Sequence, residues 1–128
     1  MGTWLAVVDV YDCILHELSI ARSLLKLAAA EAESQEGCVT ALHVTIGPLS
    51  GVVKQALVSA FELARRDTPF AASKLVILDA LLMIECPACG GERPACSVQE
   101  LRCSVCREPA ARAVAGWELE LTALEMES

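Results

Sequence analysis

Aromatic side chains are scarce in this chain of 128 residues, which holds two Trp, one Tyr and two Phe. Any core must therefore be mostly Leu, Val, Ile and Ala, and at 55% apolar residues there is ample material for one. Positive charge is short as well. Ten Lys and Arg stand against 17 Asp and Glu, giving a formal net charge of −7. Such a surface repels phosphate backbones and anionic lipid, which disfavours nucleic-acid and membrane partners. No apolar run reaches the roughly 18 residues of a membrane span. The first 14 residues have no basic segment, and Asp9 and Asp12 interrupt their apolar stretch, so a secretory signal is not expected. Only two histidines occur, neither joined to a carboxylate at catalytic spacing, and no hydrolytic enzyme is expected.

Cysteine, in contrast, is abundant. There are seven, an odd number, and four of them form two C-x-x-C pairs, Cys86 with Cys89 and Cys103 with Cys106. Two side chains from each turn can meet around one ion, which gives the tetrahedral all-sulfur shell that zinc accepts. The shell would be closed, so the zinc is structural. Two disulfides would need an oxidising compartment, and a rubredoxin-like iron site would use the same ligands. A reducing cytoplasm with the thiols committed to zinc is the simpler reading. Gly90 can take the positive φ that follows such a turn, whereas Arg107 would bear strain at the matching position. Cys96 reads as a spectator, and Cys38 as a small, partly buried residue at a helix end.

The periodicity predicts a helix over 17–36, with Leu18, Ala21, Leu24, Leu25, Ala28 and Ala32 on one face, stopping at Gly37. A strand follows over 39–46, with His43 on its polar side and read as surface. A second helix is expected over 52–66, with Phe61 in its apolar stripe. Residues 75–84 are apolar on both faces apart from Asp79, as in a central strand parallel to the first through a right-handed crossover. Residues 117–124 alternate as a half-exposed strand, with Trp117 in the core. The expected fold class is α+β: a small mixed three-stranded sheet with two helices, interrupted by an inserted zinc-ribbon-like four-cysteine domain. Residues 1–15 read as an N-terminal extension, with one short strand around 5–10. Residues 16–85 with 107–128 form the α/β domain, and 86–106 the zinc-binding insert. That insert is too short and too poor in large apolar groups to fold by burial alone.

The motifs H-E-L-S at 16–19, I-G-P-L-S-G-V at 46–52, A-F-E at 60–62, C-P-A-C-G at 86–90, C-S-V-C at 103–106 and G-W-E-L-E-L at 116–121 together resemble the HypA/HybF hydrogenase nickel-incorporation proteins. The resemblance implies a nickel metallochaperone for [NiFe]-hydrogenase maturation with no chemistry of its own. It implies zinc as structural cofactor and nickel as transported cargo. Its partners would be a HypB-type GTPase and the hydrogenase large subunit, and it is compatible with a homodimer and with a urease-related role. In the family, nickel sits at an N-terminal Met-His-Glu, on the amine, backbone amide nitrogens and imidazole, which maps onto His16 and the backbone nitrogen of Glu17. Ni(II) accepts a planar set of nitrogens, so the chelate is chemically reasonable.

Here the sequence departs from the family pattern, because Leu15 precedes His16 and is itself preceded by 14 residues. The preferred expectation is translation from position 15, with a leucine codon read as methionine. Otherwise Cys13 and His16 would offer a softer thiolate–imidazole site, or nickel binding would be lost, leaving a zinc-ribbon interaction module. An iron electron carrier is the further alternative.

Overall fold

The computed structural model describes residues 2–9 and 17–127. Their element order is β1 (Gly2–Asp9), α1 (Glu17–Ala32), β2 (Cys38–Ile46), α2 (Lys54–Ala64), β3 (Lys74–Asp79), β4 (Met83–Cys86), β5 (Gly91–Pro94), β6 (Arg112–Ala115) and β7 (Leu119–Glu127). They group into two compact units. Ile46–Gly51 and Asp79–Glu118 form a cysteine-bearing unit, wider than the 86–106 interval, and the remaining described residues form a helix-bearing unit.

In the helix-bearing unit the strand order is β1-β7-β2-β3. The expected mixed trio is present. Thr40 reaches Glu125 while Thr45 reaches Thr122, opposed numbering that makes β2 and β7 antiparallel. Ser73 Oγ donates to Val39 O and Ala80 N to Ile46 O, contacts that rise together as in a parallel pair. β1 adds a fourth strand, antiparallel to β7 from Gly2↔Met126 to Asp9↔Glu120, with an irregularity between Leu5 and Val8. It covers a strand edge that would otherwise leave backbone groups unpaired.

Helices α1 and α2 pack on one another. Ala21, Leu24 and Ala28 of α1, Leu57 and Phe61 of α2, and Leu42, Val44, Leu121 and Leu124 of the sheet are all fully enclosed. Burying each Leu or Phe contributes about 1.5–3 kcal/mol. α1 stops at Ala32, short of Gly37, because its last turn has no basic residue and Glu33 and Glu36 oppose the carbonyl end of the dipole. Cys38, expected to be partly buried, is consequently exposed at the start of β2.

Two further expectations need correction. The apolar run 75–84 is not one central strand: it divides into β3, which lies at a sheet edge, and β4, which belongs to the other sheet. A continuous apolar run does not reveal where a strand changes sheets. Trp117, expected in the core, is 45% exposed, because the alternating strand begins only at Leu119, after Gly116 at φ 139°.

The cysteine-bearing unit has its own sheet, β5-β4-β6, antiparallel throughout. Residues 46–51 join it through Gly47 N to Glu118 O at 2.8 Å and Leu49 N to Gly116 O at 2.7 Å. The approach is so close that a Cβ on Gly47 would lie 2.1 Å from the Gly116 oxygen, so only glycine fits there.

Candidate metal centre

β4 ends on Cys86, and its hairpin with β5 pairs Cys86 with Gly91, so the 86–91 segment turns tightly. The second cysteine pair sits in a matching turn, held by bridges of Ala95 with Cys103 and Arg102 with Pro109. The two turns close on the same backbone hydrogen bond, and in each an amide points at the first cysteine's sulfur, from three residues on in one turn and two in the other. Gly90 N donates to Cys86 O and Arg107 N to Cys103 O, each at 2.9 Å. Cys89 N points at Cys86 Sγ at 3.3 Å, and Val105 N at Cys103 Sγ at 3.4 Å. Both turns close on a left-handed residue, Gly90 at φ 74° and Arg107 at φ 67°.

This geometry collects four sulfurs. The Cys86 and Cys106 sulfurs are 3.4 Å apart, those of Cys89 and Cys103 3.8 Å, and all four lie within 4.8 Å of one another. Sulfurs bound about 2.3 Å from a central zinc would stand about 3.8 Å apart, close to the separations found here, so the four thiols suit that ion. Cys86 and Cys103 are fully buried while Cys89 and Cys106 are half-buried, and four ligands leave no open position for a substrate.

The titration of the thiols is that of a cluster without a counter-charge. Cys103 is lowered to about 6, chiefly by the backbone amide of Cys106 and then that of Val105, against the opposing effect of burial. Cys89 is raised to about 12 by the neighbouring Cys106 and Cys86 thiols and by burial. Cys106 is pulled down by the Glu108 amide but raised overall by the Cys86 thiol and burial. One sulfur ionises readily and makes the next costly; a divalent cation would reverse that order by stabilising every thiolate. Cys96 stands outside the quartet, its thiol directed at Cys103 O at 3.6 Å.

Of the residues proposed for nickel, His16 lies outside the described residues, as does Cys13. Glu17 opens α1, and its Oε2 accepts a hydrogen bond from Val53 N at 3.3 Å. Val53 is the N-cap of α2 and has no side-chain cap, so the Glu17 carboxylate serves the start of the neighbouring helix. His43 is not simply a surface residue: its Nε2 lies 3.0 Å from Glu125 Oε2, and the side chain is 25% exposed. Glu125 had no sequence signal, because its partner is 82 residues away.

The family model described as hydrogenase/urease nickel incorporation, metallochaperone, HypA matches residues 15–126. This chain belongs to the HypA family. The hydrogenase maturation factor HypA of Chloroflexus aurantiacus is 39% identical over 112 residues, covering 87% of this chain and 98% of the relative. That of Wolinella succinogenes is 38% identical over 115 residues, covering 89% and 97%. The solution structure of the Ni metallochaperone HypA from Helicobacter pylori superposes with a TM-score of 0.61 at 28% identity, covering 88% of this chain and 98% of that one. Family membership makes the chain a nickel-incorporation factor that carries metal rather than a catalyst. No helix among the described residues is long and apolar enough to cross a membrane.

Proposed function

We propose that this chain carries Ni(II) to a [NiFe]-hydrogenase, with a structural zinc held by Cys86, Cys89, Cys103 and Cys106. The four-sulfur quartet in a HypA-family chain is the observation that carries this reading. The nickel is held at His16, by its imidazole and by neighbouring backbone nitrogens that include that of Glu17. The nickel-binding domain comprises 16–85 with 107–128, and the zinc-binding insert 86–106. The Glu17 carboxylate is already engaged by Val53 N, which favours its backbone nitrogen over its side chain as a ligand. A HypB-type GTPase and the hydrogenase large subunit are the partners, and the cytoplasm is where they meet; a urease is an alternative client.

Elemental analysis with nickel titration tests the proposal on three proteins: the full chain, the full chain with His16→Ala, and a chain beginning with Met in place of Leu15. Zinc should be present in all three. Nickel uptake should be tightest in the shortened chain, where a free amine stands beside His16, and lost in His16→Ala. A shortened chain that retains zinc yet takes up no nickel sinks the assignment at His16. A red protein would mean iron in the sulfur shell.

A further inference from the structure

The helix-bearing unit has a groove of about 380 Å³ between α1 and the turn that follows α2. Leu25 and Phe70, both nearly buried, form its floor, Ala29 and Pro69 stand at its sides, and Arg22 and Lys26 at its rim. The far wall is built by Thr68: its Oγ1 donates to Arg65 O at 2.6 Å and accepts from Phe70 N at 3.1 Å. Arg65 in turn donates to Ser73 O at 2.5 Å. The seat is thus tied by hydrogen bonds.

The rim inverts the sign of the molecule. Arg22 and Lys26 are exposed, lie four residues apart on one helical face, and form no ion pair with any described residue. The helical neighbours of this pair include Leu18, Ser19, Ala29 and Ala30, none of them acidic. Like charges at that spacing oppose the helix instead of supporting it. In a chain of net charge −7, two cations with no ion-pair partner among the described residues thus stand together at the mouth of an apolar seat. At physiological salt the field of more distant carboxylates is screened within about 8 Å, so a ligand at the rim meets positive charge. We propose that this groove is the docking site for an acidic segment of a partner protein. A large apolar side chain of the segment sits over Leu25 and Phe70 while its carboxylates meet Arg22 and Lys26.

Fluorescence anisotropy on the zinc-loaded full chain tests this, with a labelled dodecapeptide that carries Leu and Phe on one helical face and Glu on the other. Saturable binding is expected, and a peptide with Lys for Glu should not bind. Reversing the rim (Arg22→Glu with Lys26→Glu) should weaken binding at least about tenfold and flatten its salt dependence. Filling the seat (Ala29→Phe) should weaken it comparably with the charge intact. An equal change of net charge elsewhere (Lys74→Glu with Arg93→Glu) should alter it less than about twofold. Circular dichroism checks that each variant is folded. No saturable binding overturns the proposal, as does binding by the rim-reversed and seat-filled variants that equals that of the unaltered chain. Anionic phospholipid vesicles that bind where the acidic peptide does not would overturn it too. None of these readouts involves nickel, so their failure leaves the metal-carrying function untouched.

Discussion

The two units of this chain solve the same problem with different materials. The helix-bearing unit encloses Leu24, Leu42, Leu57, Phe61, Leu121 and Leu124 completely, and such burial can support a fold. The cysteine-bearing unit has a cluster of Ile84, Cys86 and Cys103, flanked by Cys89, Ala95, Cys106, Ala110 and Ala113. Half of that cluster is the sulfur quartet itself. Ile46 and Leu82 are buried as well, but five of the unit's larger apolar side chains, Leu81, Val98, Leu101, Val105 and Trp117, are exposed. One unit is held by burial. The other lacks enough burial and needs an ion.

Metal removal should therefore split the molecule. A structural zinc contributes on the order of 10 kcal/mol to folding, far more than this small cluster can replace. Chelation, or Cys86→Ser with Cys103→Ser, should strip hydrogen-exchange protection from β4, β5 and β6 while α1 and α2 stay protected. Protection that survives in β4 would refute the contrast. The reverse experiment is Phe61→Ala. It should cost the helix-bearing unit about 3–5 kcal/mol in denaturant unfolding, yet leave one bound zinc by elemental analysis.

Legibility in the sequence follows the same division. The metal centre could be read at once, because each C-x-x-C pair is local and its turn dictates where the thiols point. The positive φ at Gly90 and Arg107 followed from the same logic. The helices were legible in position but not at their ends: α1 stops at Ala32, before Glu33 and Glu36, and α2 begins at Val53, which offers no side-chain cap of its own. What could not be read was pairing over long separations. Nothing local told residues 75–84 that they would serve two sheets. Nothing near His43 announced Glu125, and Glu17 gave no sign that its carboxylate would reach Val53.

The contrast extends to pH. The helix-bearing unit is held by burial of uncharged side chains, whereas the sulfur shell must lose protons to take a metal. With Cys89 raised to about 12 and Cys106 also raised, both thiols are protonated at pH 7, while Cys103, at about 6, has mostly ionised. Zinc must displace at least those two protons, so affinity rises with pH and falls as acid is added. Between pH 6.5 and 8.5 the apparent dissociation constant should fall about a hundredfold per unit or more, and the slope should steepen below pH 6 as Cys103 takes a proton. Competition against a chelator of known proton affinity measures this. A slope of one proton or fewer would contradict the cluster's titration.

The smallest expected effect compares the two metal-binding turns with each other. They share the same closing backbone hydrogen bond and a left-handed closing residue, but one ends on glycine and the other on arginine. An L-residue held there costs roughly 1–2 kcal/mol, from which the greater unfolded-state freedom of glycine subtracts roughly 0.5–1. Arg107→Gly should therefore stabilise the zinc-loaded protein by about 1 kcal/mol. Little else is lost, since the arginine side chain is exposed and its carbonyl, which accepts from Arg102 Nη1 at 3.1 Å, remains. Gly90→Ala should lose a similar amount through backbone strain alone, because a Cβ there would meet nothing within 4 Å. Denaturant unfolding at buffered free zinc reads both. Equal stability in the two variants would mean that the metal, not the backbone, sets the conformation of each turn.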